Sequence, residues 1–145
     1  MSDTPQTYAN HTRWHPPFHF FVIPILVINV IWQTVVFGIH PGLNQGWWIV
    51  VSLAIVVLAV FARTNALRTQ DRIIRLEELL RYQRLLPTDL ARQAGSLAIA
   101  KVIALRFAPD QELEGLVVAV AEGRLSKPTE IKQAIIDWRA DTLRV

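Results

Sequence analysis

From Phe18 to Ala62 the chain runs without one Lys, Arg, Asp or Glu, whereas from Arg63 onward basic and acidic residues recur throughout. The uncharged stretch holds two apolar segments. Residues 18–39, "FHFFVIPILVINVIWQTVVFGI", supply about the 20 residues that a helix needs to cross a hydrocarbon core. Residues 46–62, "GWWIVVSLAIVVLAVFA", are fewer but more uniformly apolar. Between them "HPGLNQ" carries Pro41, Gly42 and Asn44, turn chemistry with no charge. The pattern predicts a two-helix transmembrane hairpin, because a pair of buried helices in a soluble core rarely runs this far without a charge at an exposed position. A cleaved signal peptide is not expected. The apolar run exceeds the usual length of about 7–15 residues, no A-x-A site follows it, and the first residues are not basic.

Beyond the second span the period changes. Residues 64–86 predict a continuation of its helix, with Ile73, Leu76, Leu79, Leu80 and Leu86 on one broad stripe and Glu77, Arg81 and Arg84 largely on the other side. After Pro87 short helices follow: Thr88 to Ala94 closed by Gly95, Leu97 to Phe107 capped by Ser96, and Asp110 to Glu122 opened by Pro109 and stopped by Gly123. A last helix capped by Ser126 places Ile131, Ile135 and Trp138 at i, i+4 and i+7. These helices predict a core around Leu97, Ile103, Phe107, Leu116, Val120, Ile135 and Trp138. No strand pattern competes. The expected fold is an all-α membrane protein. Residues 1–17 form an amino-terminal segment, 18–62 the hairpin, and 63–145 a helical arm followed by a small bundle of short helices.

Charge sets the orientation. The loop Pro41 to Gln45 has no Lys or Arg, Arg13 precedes the first span, and Arg63, Arg68, Arg72 and Arg75 follow the second, so both termini are expected in the cytoplasm. The sequon Asn10-His11-Thr12 would then never meet a glycosyltransferase. Trp14, Trp47 and Trp48 stand where an aromatic belt would lie, and with Arg63 and Arg68 they are expected to contact lipid headgroups. Composition agrees with this division: 52% hydrophobic against 19% charged residues, and a mean hydropathy of +0.29, are too apolar for an ordinary soluble domain. Residues 64–145 carry 13 basic and 11 acidic side chains, too even a balance for tracking a phosphate backbone, so nucleic acid is not an expected partner.

Chemistry is sparse. With no cysteine, disulfides, thiolate catalysis and Cys-containing metal sites are excluded. There is no Gly-rich phosphate loop, nucleophile elbow or H-E-x-x-H, and Asp110, Glu112 and Glu114 read as acids suited to a helix start. No catalytic residue, cofactor or metal is therefore expected, and the protein is not expected to be an enzyme. Two groups of polar residues remain. Asn29 and Gln33 share one face of the first span and must turn toward protein; Ser52, at matching depth near Gln33 and Thr34, is the expected partner. His11, His15 and His19 recur at helical spacing, but Pro16 and Pro17 favour a helix that begins at about Pro17 and separates His15 from His19. With His40 they form the cofactor candidates of an alternative reading, a redox subunit; a headgroup collar is the simpler account.

The stretches "YANHTRWHPPFHFFVIPILVINVIW", "QDRIIRLEELLRYQRLLPTDL", "IALRFAPDQEL" and "EIKQAIIDWRADTLR" together resemble a bacterial family of small two-span membrane proteins known only as a domain of unknown function. The resemblance implies a cell-membrane protein with a cytoplasmic helical tail, and it carries no activity or site residue. The functional expectation is a non-enzymatic anchor or accessory scaffold whose cytoplasmic helices dock a protein partner or a second copy.

Overall fold

A computed structural model describes residues 7–8 and 15–141. Among these the chain is all-helical, with six helices and no strand. The described residues divide into two units, one of residues 15–67 and the other of residues 7–8 with 68–141.

In the first unit, helix α1 covers Pro17–Ile39 and helix α2 starts at Leu43. The opening of α1, Pro17–Val22, is π-helical, and the amide of Ile23 donates to the carbonyl of Phe18. Pro24 has no N–H to continue the ladder, and the chain opens into a wider turn just before it. The carbonyl of His15 accepts from the amides of Phe18 and His19, both at 3.1 Å, which satisfies donors that a proline-led helix start leaves open.

Helix α2 runs without a break from Leu43 to Leu85, about twice what a span needs. Leu43 to Gln45, read from the sequence as part of the turn, are already helical, which leaves only His40 to Gly42 between the two helices. Both helices are long and apolar enough to cross a membrane. None of the apolar window of α1 and 6% of that of α2 is buried, so neither is the core helix of a globular fold. Phe20, Phe21, Ile28, Trp32 and Leu58 are each about two-thirds exposed, more large apolar surface than a helix in water carries.

The second unit holds the remainder of α2 with α3 (Thr88–Ser96), α4 (Ile99–Leu105), α5 (Asp110–Ala121) and α6 (Pro128–Ala134). Helix α4 lies against α5 and α6, and α3 lies against α5. Phe107, Leu116, Val120 and Ile135 are buried as expected, with Leu97 and Trp138 packed on their margin. The centre of the core is only partly the expected one: Tyr82, Leu105, Leu113, Val117 and Ile131 surround Phe107 there, while Ile103 stays half-exposed outside it.

Several local expectations are corrected. Gly95 does not end α3; it lies within the helix, where a Cβ would come 2.7 Å from the Leu79 side chain, so the glycine serves close approach. Ser96 caps nothing, its hydroxyl returning to the carbonyl of Gln93, and α4 begins two residues later than expected, at Ile99. Arg75 ends α3 instead. Its guanidinium donates to the carbonyls of Gly95 (3.2 Å) and Leu97 (3.1 Å), groups that a helix C-terminus leaves unpaired. Helix α6 stops at Ala134, so Ile135 and Trp138 reach the core from extended backbone. Its start is held by Glu130, whose carboxylate accepts from the amides of Ser126 (2.8 Å) and Lys127 (3.0 Å) and is thereby held below the usual carboxylate range. Gly123, at φ 79°, does terminate α5 in the left-handed region that glycine favours.

Tyr82 is fully buried, yet its hydroxyl has no hydrogen-bond partner among the described residues. Burial, aided by the nearby Glu78 charge, raises its pKa. A buried donor without an acceptor costs about 1–3 kcal/mol. Tyr82→Phe is accordingly expected to leave stability unchanged or raise it by about 1 kcal/mol, as read from urea unfolding of the full chain in detergent. A loss of more than about 1 kcal/mol would reveal a bond that the hydroxyl does make.

Candidate functional site

Three places bring polar or exposed side chains together. The first is in the hairpin. The Ser52 hydroxyl donates to Asn29 Oδ1 at 2.6 Å and also lies 2.8 Å from the carbonyl of Trp48. Ser52 is buried. Of the Asn29–Gln33 face it is Asn29 that Ser52 bonds, one helical turn before the depth of Gln33 and Thr34, because the turn is tighter than "HPGLNQ" suggested and the mirror position of Ser52 moves back along α1. Gln33 shares the face, half-buried, without bonding Ser52, and Thr34 is satisfied by the carbonyl of Val30 at 2.8 Å. A hydrogen bond of this kind between apolar helices contributes about 1 kcal/mol. Ser52→Ala is expected to weaken the hairpin by about that amount, measured by steric trapping or by unfolding in a denaturing detergent; Asn29→Leu combined with it should add little further.

The described histidines, His15, His19 and His40, do not converge. The Nδ1 of His19 lies 3.1 Å from the His15 carbonyl, a local contact at the start of α1. His40 follows the other end of the same helix. Counting about 1.5 Å per residue along α1, His19 and His40 are about 30 Å apart. Among the described residues no three His, Asp or Glu side chains gather as metal ligands would. His11 and Trp14 lie outside the described residues. Trp47 and Trp48 stand exposed in the first turns of α2; Arg63 is half-buried and Arg68 exposed.

The second place is a buried ion network in the helical unit. Arg81 is 6% exposed and fully engaged: Nε donates to Asp110 Oδ1 (2.8 Å), one terminal nitrogen to Glu78 (3.2 Å), and the other to the carbonyl of Ala108 (2.7 Å). Glu78, 4% exposed, also meets Arg139 at 3.4 Å. Burial pushes the Glu78 carboxyl above its ordinary value, and the two arginines pull it part of the way back. An open cleft of about 290 Å³ lies beside this network, lined by Arg81, Arg84, Pro109, Asp110, Gln111 and Arg139. Since the donors of Arg81 are already committed to protein acceptors, the network reads as a structural clamp. A second pair, Arg106 with Asp141 at 3.1 Å, ties down the segment after α6.

The third place follows from the second. Because Arg81 finds its acceptors on α5 and the loop before it, the face of α2 that packs is Ile74, Glu78, Arg81 and Tyr82. The expected apolar stripe is thus turned the other way: Ile73 (52%), Leu76 (60%) and Leu80 (60%) are exposed, while Leu79 is half-buried and only Leu86 of that set is buried. Sequence reasoning missed this face because an apolar stripe usually identifies the core. The signal available was the pairing of Glu78 with Arg81 at i and i+3, a spacing that fits a solvated pair as well as a buried one.

No curated protein matches the chain, and no solved structure does. The chain matches a family of unknown function, DUF6526, over residues 1–145. Covering the whole sequence, hairpin and helical unit alike, this match establishes that the chain belongs to the DUF6526 family.

Proposed function

We propose that this protein is a non-enzymatic docking subunit of a bacterial inner membrane, anchored by α1 and the first half of α2, with both termini and the helical unit in the cytoplasm. The observation that carries this reading is the exposed stripe Ile73, Leu76 and Leu80, three large apolar side chains on the face of α2 opposite the packed one. A face of this kind, on a helix that continues from a membrane-length apolar segment, suits helix-in-groove or helix-to-helix recognition. Further support is that the polar clusters of the helical unit are used internally, Arg81, Glu78 and Arg75 each being committed to protein partners.

The absence of cysteine makes the test clean. Single cysteines are introduced in the full chain at Gln45 and at Gln93. The first should react with an impermeant maleimide on intact spheroplasts, the second only after the membrane is opened. A photocrosslinking residue at Leu76 or Leu80 should then give a discrete protein adduct in cells that is missing when the same group stands at Gln93. Adducts to lipid alone, or Gln93 labelled from outside, would overturn the reading.

A further inference from the structure

We infer that the occupant of the Ile73–Leu80 stripe is a second copy of this chain, its α2 running parallel and in register with the first. The inference rests on the docking role proposed above and names its partner.

The spacing comes first. Thr69, Ile73, Leu76, Leu80 and Gln83 follow one another at steps of four, three, four and three residues, the alternation of a coiled-coil seam. Such a seam is complementary to another helix of the same kind. Of the α2 residues that pack on the chain's own helical unit, Ile74, Glu78, Arg81 and Tyr82 occupy outward heptad positions and Leu79 and Leu86 a flanking one, which leaves the seam positions themselves to a facing helix.

Charge then selects the orientation. Flanking the seam, Arg72 holds the position before Ile73 and Glu77 the position after Leu76; both are exposed, and neither makes a hydrogen bond or ion pair among the described residues. In a parallel, in-register pair, a residue at the first of these positions faces the residue five further on in the other helix. Arg72 of each copy therefore meets Glu77 of the other, two opposite-charge pairs related by the two-fold axis. An antiparallel pair would not form them. Two copies inserted in a membrane with the same topology have their α2 helices parallel already, so geometry and charge agree. The seam is short for an autonomous coiled coil, but confinement of both copies to one bilayer raises their effective concentration and reduces what the contact must supply.

The test uses the full-length protein in native membranes. Single cysteines at Ile73, Leu76 and Leu80 should form disulfide-linked dimers on mild oxidation, and one at Gln93 should not. With the reporter at Leu76, Arg72→Glu alone or Glu77→Arg alone should lower dimer yield about fivefold by placing like charges opposite each other, and the two together should restore it. Equal crosslinking at Gln93 and Leu76, or no rescue by the double exchange, overturns the parallel pair. If the cysteines stay monomeric while a photocrosslinker at Leu76 captures a different protein, the second copy is wrong and the docking role stands. If it captures only lipid, both fall.

Discussion

Arg81→Met is expected to destabilise the helical unit by about 3–5 kcal/mol, more than any surface change. The substitution retains much of the buried stem but removes the cation from Glu78, the carbonyl of Ala108 and Asp110 at once. Asp110 is about half-exposed and can turn to water; Glu78 cannot, and a buried carboxylate stripped of its partner accounts for most of the loss. Urea unfolding of the full chain in detergent, followed by circular dichroism, measures it, since the apolar spans stay in the micelle. Adding Glu78→Gln to Arg81→Met should recover a large part, because the pair acts as one unit. The pH dependence has a definite sign. The folded protein holds the Glu78 proton to higher pH than the unfolded chain, so its contribution to stability is present below about pH 4.5 and declines as pH rises through the raised folded value. Without Arg81 that window should extend to higher pH, and mild acid should rescue the variant relative to neutral pH. Recovery of stability by the single change Arg81→Met, with no pH effect, would mean that Glu78 is not confined as described.

Phe107→Ala should cost about 3–5 kcal/mol for a different reason. Phe107 is 1% exposed in the central cluster, with the Trp138 ring 5.0 Å from its own and tilted by 32°. Arg106 and Lys132 place cations 4.6 Å and 5.7 Å from the same ring. Truncation leaves a cavity that short helices on several sides cannot close, and it withdraws the surface on which Trp138 rests. Phe107→Leu should lose less than half as much, since most of the volume is kept. Amide exchange offers a local readout: the segment from Ile136 to Arg139 should lose protection in Phe107→Ala well before α5 does. A change below about 1 kcal/mol would show that Trp138 and its neighbours repack freely.

The two long apolar helices were legible because a run without charge from Phe18 to Ala62 has few physical meanings. The stop at Gly123 was legible because local chemistry dictates it, and so was the start of α5 at Asp110, which Pro109 precedes. What escaped depends on partners far along the chain. The packed face of α2 is chosen by Arg81 through acceptors 27 and 29 residues away, and local hydrophobicity pointed to the opposite face. The i, i+4, i+7 spacing of Ile131, Ile135 and Trp138 fits a helix, yet backbone amides of Ile136 and Asp137 go to the Glu112 carboxylate at 3.0 and 2.9 Å, an acceptor that ends the helical ladder early. Asn29 and Ser52 were named as polar contacts, but their pairing turned on whether Leu43 belonged to the turn or to the helix.

The segment after α6 also has a kinetic consequence. Arg139 donates its amide to the Phe107 carbonyl at 2.8 Å and its side chain to Glu78, 61 residues earlier, while Glu112 accepts from the amides of nearby Ile136 and Asp137. The bond to Glu78 closes the longest loop in the unit among the described residues, and the strap settles only after α5 has presented Glu112 and the turn before it has presented Phe107. During synthesis, Glu78 is already in place on α2 long before Arg139 leaves the ribosome. The helical unit therefore completes itself late, by a last strap drawn across elements made earlier, and a nascent chain halted before Arg139 would hold its most costly buried charge half-compensated.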